Sequence, residues 1–304
     1  MSNAHFRWPV TIMMFLLSAT GCVIQTSYGD VQPSEITTPP TRLPEVTVTG
    51  EPTLKEDKPI GENQQPEWTA RRRFVTTRVY VQPPWQVEAE TGWDATYGRS
   101  GPPHHLLTQE IEIGLPHRLQ LDYEYAETVD RGHWDYASSS FEVRWALADW
   151  DKIPLNPTVK AEWKMNDEAA DAYELSLELG KEITPGWHWA VNLFYEQQVG
   201  DDREREYSVS QALSCTVIDE KLSLGIEMKL TDETDNLDRH SHLVFLVGPS
   251  VQWRPTSRTH IDIVPLLGTT GPSPRIETFV FFGIDFGPGS ERNELVTPAS
   301  LRNK

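Results

Sequence analysis

The sequence predicts an all-β chain: a single antiparallel up-and-down transmembrane β-barrel of about twelve strands behind a disordered N-terminal arm. Three observations predict it. Segments of about ten residues with period-two alternation recur between 84 and 287, the length a tilted membrane strand needs. The joins between them alternate in length, and most segments carry an uncharged apolar stripe on one face and carboxylates on the other. In IEIGLPHRLQLDYEYAE, for example, Ile111, Ile113, Leu119, Leu121, Tyr123 and Tyr125 share one face, while Glu110, Glu112, Gln120, Asp122 and Glu124 share the other. A soluble sandwich has a greasy inside and a wet outside; a membrane barrel inverts this, with lipid outside and a wet lumen.

The bulk properties narrow the classes. At 304 residues, 38% hydrophobic and a mean hydropathy of −0.48, the chain is no helical membrane bundle. A formal net charge of −18 argues against nucleic acid as a partner, because phosphate binding needs clustered Lys and Arg. The eleven Trp point to interfacial girdles or sugar-stacking platforms. Cys22 and Cys215 suggest neither a disulfide scaffold nor a metal knuckle.

Residues 1–29 have the layout of a secretory signal peptide. His5 and Arg7 precede an apolar run from Val10 to Leu17, too short to span a bilayer, and small residues follow. Cleavage after Gly29 fits this layout. Ala19-Thr20-Gly21-Cys22 resembles a lipoprotein lipobox, with Ala19 where Leu is usual, so lipidation at Cys22 stays open beside ordinary cleavage. Residues 30–83 read as a Pro-rich periplasmic arm, with Pro33, Pro39, Pro40, Pro44, Pro52, Pro59 and Pro66 among polar residues and few aliphatics to pack. Within it PEVTVTG, Pro44–Gly50, resembles the TonB box of TonB-dependent outer-membrane receptors. That resemblance implies a strand-adding contact with a periplasmic energy-transducing partner. No plug domain of the size those receptors carry follows it. Arg71, Arg72 and Arg73 form the one basic cluster, placed to meet anionic headgroups, to neutralise an acidic lumen if the segment folds inside, or to remain solvated.

The barrel proper is expected over 84–287, with strands at 84–94, 106–114, 118–127, 139–148, 157–166, 172–181, 187–197, 206–217, 221–231, 242–253, 259–267 and 276–287. The joins GLPHR, ADWDKIPLN, KEITPG, IDE and RPTSRT are compact. YGRSGPPHH, TVDRGHWDYASS, NDEAAD, QVGDDRER, DETDNLDRHS and GTTGPSP are mostly longer and more polar. Greek-key sandwiches have no reason to alternate this way, whereas bacterial barrels pair short periplasmic turns with longer outer loops. Stripes such as Phe141, Val143, Trp145, Leu147 and Leu222, Leu224, Ile226, Met228, Leu230 are free of charge, and a charge near the lipid midplane costs about 2 to 4 kcal/mol. Trp85, Trp145, Trp163, Trp187, Trp189, Trp253 and Phe286 are the candidate lipid-interface aromatics, and outer-membrane lipid is the expected surrounding. Residues 288–304 form a polar tail.

The opposite parity supplies the candidate lumen lining: Glu88, Glu90, Glu110, Glu112, Asp122, Glu124, Glu142, Glu162, Glu174, Glu178, Glu196 and Glu227, with Arg144, Lys160, Lys164 and Lys229. Carboxylates outnumber bases, so a water-filled path lined this way favours small cationic or neutral solutes. A closed interior held by ion pairs is the alternative, and a barrel of this strand number accommodates either.

Enzyme signatures are weak. An outer-membrane phospholipase needs a His–Ser pair on the barrel's outer face; Arg239-His240-Ser241-His242 offers the residue types but lacks that family's Asn-Gly-type context. Acidic loops at Asp201, Asp202, Glu204 and at Asp232, Glu233, Asp235, Asp238 offer oxygen ligands for calcium, and more commonly are simply solvated. His104 and His105 are adjacent in a strand and so point apart. No phosphate loop, nucleophile elbow or zinc-helix motif is present, and no cofactor, metal or catalytic residue is assigned. The strand rhythm, the GLPHR-type turn and the closing FVFFGIDFG resemble the outer-membrane family named for the meta pathway of phenol degradation, which implies a channel or transport protein. Phe286 then stands for the aromatic that closes the last strand of outer-membrane proteins.

Overall fold

The structure, a computed structural model, describes residues 54–71, 73–130, 132–200, 204–234 and 241–287. Twelve strands form a closed antiparallel barrel: β1 (Val87–Tyr97), β2 (His104–Leu115), β3 (Leu119–Asp130), β4 (His133–Ala146), β5 (Thr158–Asn166), β6 (Ala172–Thr184), β7 (Trp187–Gln198), β8 (Arg205–Ile218), β9 (Leu222–Thr234), β10 (Ser241–Thr256), β11 (Thr259–Gly268) and β12 (Ile276–Phe286). Each pairs with its neighbour in sequence, and β12 closes on β1 from Ile276 opposite Tyr97 to Phe286 opposite Val87. Every predicted strand window overlaps one of these. Closure leaves no free sheet edge, the condition for a sheet to sit in lipid.

The outer surface has the chemistry of a bilayer. Ile111 is 55% exposed, Phe141 57% and Leu175 50%, with Leu121, Val143, Leu193, Leu224, Ile226 and Ile263 exposed around the same wall. A continuous apolar surface of this extent belongs in lipid, and the chain is a barrel of the outer-membrane type. Aromatics mark both rims. Trp85, Trp145, Trp253 and Phe286 are exposed near the end where β1 begins and β12 ends, here called the inner end, with Trp187 and Trp189 half-buried beside them. Towards the other end Tyr173, Tyr195 and Tyr207 touch in sequence, Tyr125 meets Tyr136, and Trp163 lies exposed opposite Tyr173. Cys215 lies on the outward parity of β8, opposite Leu224 and Trp187.

Two joins differ from the sequence expectation. TVDRGHWDYASS is mostly strand: Thr128 pairs with Asp135 and Asp130 with His133, so β3 and β4 run on past the membrane band. Its Thr, Val, Trp and Tyr are strand formers, and their polar neighbours reflect exposure to water rather than a loop. The inner join at 147–157 is long because it folds under the lumen, where Trp150 is buried.

The segment 54–86, placed in the arm and at the barrel's start by sequence, lies inside the barrel as a plug at the inner end. Lys55–Asp57 forms one 3-10 turn, with the Lys55 N–H donating to Asp219 between β8 and β9 at 2.8 Å. Pro59–Ile60 and Gln65–Pro66 pair as a short ladder, and Glu67–Ala70 forms a second 3-10 turn. Residues 73–86 then run to β1. Trp68, Phe74, Val79, Tyr80 and Val81 are buried with Trp150 and the small interior residues Ala146, Ala190 and Ala212. Trp150 meets Trp68 and Tyr80 edge-on, with ring centroids 5.8 and 5.3 Å apart. Val75 packs with Leu246, Val264 and Leu266, flanked by Phe279 and Phe281. Each such buried side chain contributes about 1.5 to 3 kcal/mol, so a segment poor in aliphatics still seats firmly where the wall supplies polar partners.

Candidate functional site

Alternation aims one residue in two at the lumen, and register decides which of these meet across strands. Glu112 lies opposite Asp122 because the Pro116–Arg118 turn, with His117 and Arg118 at positive φ, joins β2 to β3 in that register. The same pairing continues around the wall. Asp285 lies opposite Glu88, Glu88 opposite Glu112, Asp122 opposite Glu142 and Glu142 opposite Glu162; Glu162 then faces Glu174, Glu174 faces Glu196, Glu196 faces Glu206, and Glu206 faces Glu233. An unbroken row of carboxylates thus crosses consecutive strands from β12 through β1 to β9. Strands tilt in a barrel, so the row climbs: it starts beside the inner end of β12 and finishes beside the outer end of β9. Glu90, Glu110 and Glu124 form a second row alongside it.

Like charges directly opposite one another are destabilising, so the row needs partners. Over its inner part it has them. Arg78 of the plug pairs with Glu112 and lies 3.5 Å from Glu110. Arg144 reaches Asp122 at 3.0 Å, Glu142 at 2.8 Å and Glu178 at 3.4 Å. Lys160 reaches Glu174 at 2.6 Å, Glu162 at 2.9 Å and Glu142 at 3.4 Å. His260 lies between Asp262 and Glu88, 2.5 Å from the latter, and Gln82 of the plug donates to Glu88 at 2.7 Å. Gly283 clears this histidine: a Cβ there would stand 1.9 Å from the ring.

The plug's backbone is also bound. Glu227 accepts the N–H groups of Val75 and Thr76 at 3.2 and 2.7 Å. Gln120 accepts from the Gln82 N–H at 2.6 Å, and Arg254 donates to the Arg71 carbonyl at 2.6 Å. Asn192, with its amide oriented by its partners, donates to the Arg78 carbonyl at 2.7 Å and accepts from its N–H at 2.8 Å. A cavity of about 10 Å³ beside Arg78, Gln82, Glu112 and Gln120 has room for about one water. Arg71 and Arg73 pair with Glu67 and Glu56 of the plug itself, while Arg72 lies outside the described residues. At the plug's entry, burial pushes the Asp57 carboxyl up to about 7, helped by Glu182, Glu56 and Asp219 and opposed by Arg73.

Beyond Lys160 the row is wetter. Glu196 and Glu206 are half-buried, as are Glu124 of the second row and Lys164 and Lys229 on the same interior parity. Sequence reasoning did not single out His188, Arg254, His260, Asp262 or Asp285. His188 sits between two outward Trp, so alternation alone points it inward. Of the lipase-like set, His240 lies outside the described residues, as does the Ser241 side chain. His260 is held by two carboxylates rather than by a hydroxyl. Pro44–Gly50, Cys22 and the polar tail at 288–304 also lie outside the described residues.

No protein-family model and no curated protein matches the sequence. Solved barrels are similar in shape. A NanC porin shares 13% identity over 66% of this chain and 99% of its own, with a TM-score of 0.47. A KdgM porin shares 10% over 66% and 98%, at 0.43. The translocator domain of autotransporter NalP from Neisseria meningitidis shares 10% over 66% and 88%, at 0.40. No activity follows from likenesses of this size.

Proposed function

We propose that the protein is an outer-membrane transport barrel for small cationic or neutral solutes, gated by its own N-terminal segment. One observation carries the reading: the carboxylate row climbs the lumen without a break, and where it is driest its partner is Arg78 of the plug. A guanidinium there occupies the place a cationic solute would take, so closure and cation attraction use the same groups. The outer vestibule collects cations; passage requires the plug to shift. The PEVTVTG segment precedes the plug in the chain, placed so that a periplasmic energy-transducing partner pulling on it would draw the plug inward.

The competing reading is a closed barrel that binds a ligand in the outer vestibule and passes nothing, favoured by how tightly the plug is held. Planar-bilayer conductance of the refolded protein separates the two, after its gel mobility is seen to shift on heating. Wild type is expected to conduct rarely, and Arg78→Ala with Gln82→Ala to give frequent cation-selective steps. Silence from both would establish the closed barrel.

A further inference from the structure

We propose that Glu56, Asp57 and His188 form a divalent-cation site tying the plug to the barrel wall at the inner end, taking a borderline metal of the Zn²⁺ kind. His188, on β7, is fully buried, and neither ring nitrogen has a hydrogen-bond partner among the described residues. A neutral imidazole carries one donor and one acceptor, and burying both unpaired is costly. The ring is nevertheless aimed at carboxylates. Its Nε2 lies 3.7 Å from Asp57 Oδ1 and 4.0 Å from Glu56 Oε1. Those gaps are too long for hydrogen bonds and close to the spacing of two ligands that share a metal at about 2.0 to 2.2 Å from each.

A second atom points the same way. Asp57 Oδ1 is buried without a hydrogen-bond partner, and the three ligand atoms lie within 4.8 Å of one another. Glu56 is shared with Thr216 and Arg73, which leaves Asp57 and His188 as the open pair. Glu182 and Asp219 stand near enough to add their charge, so four carboxylates face one guanidinium and a divalent cation would relieve the excess. The donor set decides the metal: an imidazole with two carboxylates suits Zn²⁺, whereas Ca²⁺, Mg²⁺ and Mn²⁺ favour oxygen ligands. Trp68 fixes the ring plane, its centroid 4.2 Å from that of His188. The Asp57 side chain keeps 12% exposure, an entry path from the inner end.

Two of the ligands belong to the plug and one to the wall, so the metal would act as a removable staple. This holds whether or not the barrel conducts. The test uses the full chain refolded in detergent, stripped with chelator and titrated calorimetrically with ZnCl₂, each variant first shown to be heat-modifiable. One Zn²⁺ per chain is expected, weakened about tenfold or more in Asp57→Asn and in His188→Gln. Zn²⁺ should also slow tryptic cleavage after Lys55 in wild type and not in either variant. Asp57→Asn changes no volume, so it keeps the test decisive if His188→Gln fails to fold. Absence of binding at millimolar Zn²⁺, or binding unchanged in the variants, would overturn the site; the first outcome would mean that water fills the gap, the second that the metal sits elsewhere.

Discussion

In the inner half of the lumen Glu112 faces Arg78 and Asp122 faces Arg144, both carboxylates almost fully buried; in the outer half Glu196 and Glu206 face each other across neighbouring strands, half in water. The residue type, the parity and the cross-strand spacing are the same. Only the surroundings differ. A dry carboxylate must have a cation within reach because desolvation costs several kcal/mol per ion, whereas a wet one is screened and tolerates a like neighbour. In the proposed transport reading the gate lies at the level where the row stops being solvated, and there the chain supplies its own cation.

Removing that cation should break the contrast most severely. Arg78→Ala leaves Glu112 buried without its ion-pair partner, with only the Gln120 and Gln82 amides among the described residues donating to it; deleting one partner of a dry pair costs about 3 to 5 kcal/mol. The plug is expected to loosen before the barrel melts, read as faster tryptic cleavage after Lys55 with heat-modifiability retained. Adding Glu112→Gln to Arg78→Ala should restore most of the plug's protection, because both charges are then gone. A double variant as loose as the single would show that Arg78 acts by packing and not by charge.

A smaller effect tests shape rather than charge. Gly114 lies where the plug passes closest to β2: a Cβ there would stand 2.1 Å from the Pro83 carbonyl oxygen, and the Trp85 N–H donates to the Gly114 carbonyl at 2.7 Å. Backbone cannot swing away as a side chain can. Gly114→Ala should therefore cost about 1 to 3 kcal/mol, as overpacking does, and raise channel opening without altering cation selectivity. Unchanged opening and proteolysis would mean that the plug adjusts freely at this point.

The alternation that fixes strand and face was readable along the whole barrel, since residues such as Phe141, Val143 and Trp145 sample one side only. What was not readable had two physical causes. The segment 54–86 has no period because it is neither helix nor long strand, and its packing depends on partners far away in sequence, such as Glu227 for Thr76 and Trp150 for Tyr80. The carboxylate row depends on register, which short turns and bulges set; irregularities between Ala126 and Glu127 and between Thr216 and Ile218 shift it in ways composition does not announce. Most of the interior acids could be named from parity, but not Glu206, not Glu233, which reads as loop and lies in β9, and not that they form one climbing line. Asp285, at its inner end, sits in a run of Phe residues that draws attention to lipid instead.

The smallest expected change in stability sharpens the comparison furthest. Glu196→Gln with Glu206→Gln removes two facing charges from the wet half, where relief of repulsion and loss of hydration nearly cancel, so stability should move by no more than about 0.5 kcal/mol. Selectivity should move much more. In the Arg78→Ala background, reversal potentials under a salt gradient should shift toward non-selectivity when Glu196 and Glu206 are neutralised, because a vestibule concentrates cations by its field even where no single contact is strong. A large loss of stability with selectivity unchanged would reverse the roles assigned to the two halves: the outer acids would then be structural, and discrimination would rest at the level of Glu110 and Glu112, where the plug's guanidinium now sits.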